Sequence, residues 1–507
     1  MKRRGRMGAI GCLLASMLLA GAIVPANAAA DSTIAVISDQ EAEDVIVADQ
    51  EAEDLVAPSE EDLLSAQAIE GDISFIEQDG TTQTLSGSDF KADLAQVSGD
   101  SVTLKDGWYY VSANKTFNNR VEVSGEVQLI LGDEVQLDCK KGIHVTNSGS
   151  LAIFSETGGT GKLIADASDV ESCAGIGGNV GESGAHLVKI CSGNVTAKGG
   201  VDAAGIGGGE RDGGKGGDGG DFIMYGGTCN AHGKEFGAGV GGGNNGNGGT
   251  IIVYGGELSA YGGYYTALFY EGGGAGIGGG MASEFASGGD GATVIISNST
   301  VEAYSTGGGA GIGGGGGEPR SFGYGGDGGT VTIKDDSTVY VNTKTNDESE
   351  PGWAIGAGND GDNTKGSVSL YDGAVVIQDP DGANSKFATE NDRIKYCRES
   401  KVIKIEPCKH VNATYSKSAT GHTLQCAYCK ADDGTKEPHV FDGDNYCVTC
   451  GYHLNAPHFK RANLVLGERI GLTFWADLPT LVGVDYGDAY VELSVGGKRA
   501  HEACGGR

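Results

Sequence analysis

Two close cysteine pairs, Cys426-Ala-Tyr-Cys429 and Cys447-Val-Thr-Cys450, stand 17 residues apart in this 507-residue chain. The spacing C-x2-C-x17-C-x2-C fits a zinc ribbon, in which two knuckles present four thiolates tetrahedrally. Cys426, Cys429, Cys447 and Cys450 are therefore the expected ligands of one structural zinc ion. His410, His422 and His439 lie in the same stretch, and His422-x3-Cys426-x2-Cys429-x9-His439 forms a rival Cys2His2 set. Disulfides compete in an oxidising compartment, and free thiols are the third state. Two-residue spacing favours metal, and no neighbouring acid–base group suggests a catalytic ion.

Other residues could do chemistry outside this module. The insertion Tyr264-Tyr-Thr-Ala-Leu-Phe-Tyr270 places four aromatics in one glycine-rich loop. Flat rings with few rotatable bonds suit weak contact with sugar rings, so Tyr264, Tyr265, Phe269 and Tyr270 are the candidate ligand-binding residues. Tyr225, Tyr254 and Tyr371 recur at one outward position, and Tyr261 and Tyr304 at another, shared with Lys198 and His232. Mutual packing of such rings is the competing reading. Asp218, Asn247, Asp290 and Asp327 also recur at one position. The fit of Asn as well as Asp favours a stacked Asx turn, and Ca²⁺ is not expected. Arg393-Ile394-Lys395 mimics a hydrolase tripeptide but has no evident acidic partners.

The elements that must position these residues form a repeat. Ala-Gly-Ile/Val-Gly-Gly-Gly occurs at 204–209, 238–243, 275–280 and 310–315, with a shorter copy at 174–178. Its Ile/Val positions 176, 206, 240, 277 and 312 are 30, 34, 37 and 35 residues apart, a period typical of solenoids and propellers. Between the hexads lie two short alternating runs. The first carries Val188/Ile190, Phe222/Met224, Ile251/Val253, Val294/Ile296, Val331/Ile333 and Val368/Leu370. The second carries Val195/Ala197, Cys229/Ala231, Leu258/Ala260, Val301/Ala303, Val339/Val341 and Val375/Ile377. Period-2 alternation buries one face of each strand, and the fixed register between runs predicts that equivalent positions stack. Four-stranded propeller blades would need more strand per repeat. The fold class is therefore all-β: a right-handed parallel β-helix, a β-solenoid of about eight to ten coils and about 40–50 Å. Length variation in the glycine stretches reads as loops on that ladder.

The block opening Gly107-Trp-Tyr-Tyr-Val111, followed by the Ala-Gly-Ile-Gly-Gly-Gly array, resembles the glycine-rich β-helix surface proteins exported by Gram-positive bacteria. The resemblance covers about 107–378 and implies an adhesive or carbohydrate-binding role without a defined ligand. Short Cys/His modules recur between the domains of such proteins.

The N-terminus agrees with export. Lys2, Arg3, Arg4 and Arg6 precede an apolar run to about Val24, and Ala26-Asn27-Ala28 offers a cleavage site. Residues 1–28 are thus an expected signal peptide, giving a secreted, cell-surface-associated chain with no membrane insertion after cleavage. Residues 29–70 read as a disordered acidic spacer, in which Asp39-Gln-Glu-Ala-Glu-Asp44 recurs as Asp49–Asp54. A formal charge of −32 opposes binding to nucleic acid. With 92 glycines but nine prolines and no G-X-Y period, collagen is excluded.

The remaining divisions are an N-terminal cap region at 71–106, the β-helix at 107–380, a linker at 381–407, the Cys/His module at 408–456 and an incomplete β-sandwich-like piece at 457–507. That last piece, of about fifty residues, is marginal for an independent core, and the anchor is expected beyond it. Functionally the sequence reads as a non-catalytic adhesin or spacer whose partners are polysaccharides or host glycans. A carbohydrate-active β-helix enzyme is the alternative, and a bare structural rod is the third reading.

Overall fold

The computed structural model describes residues 69–507 apart from 171, 211–214, 268–269, 284–285, 318–322, 344–350, 383–384, 409–412, 419, 427–431, 444, 453, 455–457, 466–470, 478–489, 496–497 and 504–507. The expected signal peptide, and all but the last two residues of the expected spacer, lie outside the described residues. No helix among the described residues is long and apolar enough to cross a membrane.

Among the described residues, three sheets of nine, ten and eleven strands make the three sides of a solenoid, parallel throughout except at the last-coil end of the eleven-strand sheet. The ten-strand side stacks Val188 on Phe222, Ile251, Val294, Val331 and Val368, with Ile190, Met224, Val253, Ile296, Ile333 and Leu370 as the second ladder. The eleven-strand side stacks Val195, Cys229, Leu258, Val301 and Val339 in the same way. The nine-strand side is the Ala-Gly-Ile-Gly element itself. Its two-residue strands ladder Ile176, Ile206, Val240, Ile277, Ile312 and Ile355. All these ladder side chains are buried except Val368 and Leu370 on the last coil, which pack against the core half-exposed. Each fully buried aliphatic contributes about 1.5–3 kcal/mol, so the ladder is the main stabilising feature.

The glycine blocks are not loops. Their backbones lie against the nine-strand side and bond from coil to coil, as in Gly242 N–H to Gly278 O at 2.9 Å and Gly280 N–H to Gly246 O at 2.9 Å. The approach leaves no room for a side chain. A Cβ on Gly289 would stand 1.7 Å from Gly246 O. At Gly241 the same crowding (1.9 Å to Gly278 O) combines with φ +139°, a conformation that L side chains rarely adopt. Glycine here supplies close backbone packing, which explains why the blocks are buried despite having no apolar side chains.

Both ends of the rod hold more structure than the sequence suggested. In the expected cap region, Phe90–Asp93 and Thr103–Leu104 already begin two of the sheets. Ahead of them, the hairpin of Asp72–Ile76 and Thr82–Ser86 sets Phe75 against Trp108 and Phe154, with ring centroids 5.1 Å apart in each pair. Ile73, Phe75, Tyr110, Ile130 and Phe154 thus form a second core on the outer face of the ten-strand sheet. At the other end, the stretch 381–407, read as a linker, holds the helix Arg393–Glu399 and the strand Val402–Pro407. This strand runs antiparallel between Thr338–Asn342 and Ala374–Gln378. Val375 and Ile377 therefore do not stack directly on Val339 and Val341 as expected. The helix carries Arg393, whose Nη1 donates to Ala374 O at 2.8 Å.

Beyond the rod, Ala413–Ser418, Gly421–Cys426 and Asp432–Glu437 form a three-stranded antiparallel sheet. Two antiparallel strand pairs follow, His458–Val465 with Gly471–Asp477 and Tyr490–Val495 with Lys498–Ala503.

Candidate metal centre

Four donor groups converge beside the three-stranded sheet: His422, His439, Cys447 and Cys450, with ligand atoms all within 4.8 Å of one another. His422 is the second residue of the middle strand, paired with Lys417 on one side and Glu437 on the other. His439 follows two residues after the third strand. Cys447 and Cys450 lie on a tight turn closed by Gly451 N–H donating to Cys447 O at 2.8 Å, with Gly451 at φ +66°.

The spacing of these atoms can be compared with a tetrahedral ion. Zn–S bonds of about 2.3 Å and Zn–N bonds of about 2.05 Å require edges of about 3.4 Å for N···N and about 3.5 Å for N···S. The separations are 3.4 Å for His422 Nδ1 to His439 Nδ1, 3.5 Å for Cys450 Sγ to His439 Nδ1 and 3.8 Å for Cys447 Sγ to His422 Nδ1. All three fit a common ion between the groups. Burial of His422, Cys447 and Cys450 leaves the set closed to solvent on most sides.

The surroundings prepare the donors. His439 Nε2 lies 2.7 Å from Ser418 O, which can only accept, so Nε2 carries the proton and neutral Nδ1 offers its lone pair to the centre. The same bond raises the His439 pKa. Tyr452 stacks on the imidazole at 4.5 Å and 7° and fixes its plane. Burial disfavours the Cys447 thiolate, but backbone hydrogen bonds from Cys450, Thr449 and Val440, joined by a side-chain bond from His439 when that ring is doubly protonated in the metal-free state, outweigh it and lower its pKa to about 5. The Cys450 thiol is pushed up by burial and by its neighbour Cys447. Two thiols sharing a site cannot both ionise readily without a cation, and a divalent ion would remove that conflict. His422 Nε2 is buried without a hydrogen-bond partner, and the Glu437 carboxylate stands 3.7 Å away. A small movement of that exposed side chain would complete a carboxylate–histidine–metal relay.

Of the four cysteines expected as one ligand set, Cys447 and Cys450 meet here. Cys426 ends the middle strand and touches Cys408, Sγ to Sγ at 3.2 Å. Cys429 and His410 lie outside the described residues. The two histidines completing the centre were visible in the sequence only as competitors for the same ion.

The aromatic insertion is a β-hairpin of Tyr264–Ala267 with Tyr270–Gly273. Tyr264 is 41% exposed, while Tyr265 packs edge-on against Phe236 at 5.0 Å. Phe269 lies outside the described residues, as does the side chain of Tyr270. The hairpin follows the end of the strand Glu257–Tyr261, so that five-residue strand separates it from Tyr225 and Tyr254. Its ladder neighbour is instead the column of His232, Tyr261 and Tyr304. Those rings stack at 4.5 Å and 3°, then 4.8 Å and 4°. Parallel rings so close cover each other's faces and turn only edges outward. Tyr225 and Tyr254 stack more loosely, at 5.6 Å and 27°.

The recurring Asx position bonds one coil to the next. Asp218, Asn247, Asp290 and Asp327 each accept through Oδ1 from the backbone N–H of the following member, at 2.7, 2.9, 3.0 and 3.3 Å, ending on Asp362. Lys215 and Lys365 pair with Asp218 and Asp327 at 2.6 Å. These carboxylates are occupied in holding adjacent coils together.

Comparison with protein-family models, curated proteins and solved structures gives no match. The fold and the centre thus define an all-β chain with a long parallel solenoid and a Cys2His2 metal-binding geometry.

Proposed function

We propose that this chain is an exported, non-catalytic surface rod that contacts polysaccharide through the hairpin bearing Tyr264, Tyr265, Phe269 and Tyr270. The observation that carries the reading is the exposed Tyr264 on a hairpin that departs from an otherwise repetitive coil. The closely stacked His232, Tyr261 and Tyr304 column offers mainly ring edges, and Tyr254, itself 45% exposed, adds a second outward ring on the rod. The positive charges of Lys2, Arg3, Arg4 and Arg6 and the apolar run after them support export, and right-handed winding follows the usual sense of parallel crossovers. Modest affinity at one site suits a surface protein displayed in many copies. The test is a glycan array probed with the exported chain and with the variant carrying Tyr264→Ala, Tyr265→Ala, Phe269→Ala and Tyr270→Ala. Loss of about 1.4 kcal/mol or more, tenfold in affinity, with unchanged circular dichroism supports the site. Equal binding by the variant removes it.

The metal in this account is structural zinc on His422, His439, Cys447 and Cys450. The borderline-soft Cys2His2 donor set suits zinc, and four protein ligands leave no position for a substrate. Those residues would cross-link the sheet to the turn at Cys447–Cys450, giving a small module a core that its few apolar side chains do not supply.

A further inference from the structure

The outer face of the ten-strand sheet is covered at one end. There the hairpin of Asp72–Ile76 and Thr82–Ser86 lies on Tyr110, Ile130 and Phe154, and this cluster runs out at Cys191 and Tyr225. Further along, the strands Asp221–Met224, Thr250–Val253, Thr293–Ser297 and Thr330–Lys334 continue the same face without such a cover. Their register sets Ile223, Ile252, Ile295 and Thr332 in one outward column, each half-buried. Two residues earlier on their strands, Thr250, Thr293 and Thr330 line one margin of that column. Two residues later, Tyr225 and Tyr254 stand on the other margin, and Tyr254 is 45% exposed. The three threonine hydroxyls make no hydrogen bond among the described residues. An apolar floor between two rows of hydroxyl groups complements a sugar ribbon, whose ring faces present C–H groups and whose edges present hydroxyls. Neighbouring rungs are about 4.8 Å apart, close to the length of one sugar in an extended chain.

Size and charge choose among the occupants. Three rung steps by four residue steps make a patch of about 14 by 13 Å, or about 200 Å². A standard protein interface takes about 800 Å² from each partner, so the patch is too small to hold a protein or a second copy of this chain. A formal charge of −32 repels anionic polymers, and the patch is charged only at two corners, Asp221 and Lys334. We infer that this patch is a track for one chain of an uncharged, ribbon-like, β-linked polysaccharide lying along the rod axis. The inference rests on the reading of the protein as a polysaccharide binder but uses a surface distinct from the hairpin at Tyr264. Sugar faces lie on Ile223, Ile252 and Ile295, and sugar hydroxyls meet the threonines on one side and the phenols on the other. About three or four sugars fill the track.

Calorimetric titration of the purified chain with the series from cellobiose to cellohexaose tests this, together with affinity electrophoresis in hydroxyethylcellulose and in polygalacturonate. Affinity should climb as far as cellotetraose and then level off. Hydroxyethylcellulose should retard the chain and polygalacturonate should not. Ile295→Glu sets a charge under the sugar face and should weaken cellotetraose binding about tenfold or more. Thr293→Val keeps the side-chain volume but removes the hydroxyl, and should weaken it about threefold with an unchanged melting temperature, which separates lost contact from misfolding. The fourfold alanine variant of the hairpin should still bind cellotetraose. Loss of binding in that variant, with wild-type affinity in Ile295→Glu, overturns the track and leaves the hairpin reading standing. Retained binding in the hairpin variant, with loss in Ile295→Glu, supports the track whatever the glycan array shows for the hairpin. Affinity that does not rise with length, equal retardation by polygalacturonate, or no binding of either neutral probe also overturns the track.

Discussion

The close-packed glycine layer predicts a graded response to adding a single methyl group. At Gly289 the new Cβ would meet the Gly246 carbonyl oxygen at 1.7 Å, about 1.5 Å inside ordinary contact, with nothing but backbone to yield. Forced repacking costs about 1–3 kcal/mol. Widening the gap also weakens the bonds of Gly289 N–H to Gly280 O and Gly315 N–H to Gly289 O, at 2.8 and 3.0 Å. These are worth about 1 kcal/mol each. Gly289→Ala should therefore cost about 4 kcal/mol, and Gly241→Ala more because φ +139° adds strain. Gly373 has φ +84° but no atom within 4 Å, so Gly373→Ala should cost only the left-handed penalty of about 1 kcal/mol. Gly443 has neither constraint, and its replacement should be neutral. Thermal unfolding followed by circular dichroism measures the series. At about 2 °C per kcal/mol for a domain this large, the midpoints should fall by about 8 °C for Gly289→Ala and about 2 °C for Gly373→Ala. A Gly289→Ala variant that melts with the wild type would refute the packed layer and return these segments to surface loops.

Two further outcomes follow from polar groups between the coils. Asn247→Ala removes the acceptor of the Asp290 N–H at the surface, where water can replace it, and should cost about 1 kcal/mol or less in urea unfolding. Asn247→Asp keeps the acceptor but sets a third charge between Asp218 and Asp290, so its cost should shrink as salt is added. Burial raises the Asp202 pKa from 3.8 to about 6, against the hydrogen bond from Asn244 Nδ2 at 3.2 Å. A folded pKa above the unfolded one means that the native state holds its proton more tightly. Stability should thus rise by about 3 kcal/mol at most as pH falls from 6 to 4. Asp202→Asn should be more stable than wild type at pH 7 and lose this part of the pH dependence, which urea midpoints across that range would show.

The rod was legible because its signal is local and repeated. Val188/Ile190 and their equivalents alternate with period 2, and the single Ile or Val of each glycine hexad marks the third side. The hidden features depend on tertiary contact. Leu129-Ile130-Leu131 is an unbroken apolar run, a sign of burial on both faces, but it does not say that Phe75 covers Ile130 from outside. The glycine blocks carry no side-chain periodicity, so close backbone packing looks the same as a flexible loop. At the metal centre, spacing singled out Cys447 and Cys450. Their partners depend on strand register, which sets His422 opposite Glu437 and leaves Cys426 beside Cys408. The strand Val402–Pro407 reads as linker in the sequence because an antiparallel return into a parallel sheet has no counterpart in the repeat.

The functional account is tested most directly by size-exclusion chromatography with light scattering of the purified chain mixed with polysaccharides identified on the array. A non-catalytic rod that binds through its aromatic hairpin should co-elute with the polymer, and the polymer mass should stay constant over a long incubation. Shortening of the polymer, or no co-elution with any polysaccharide, would contradict the account.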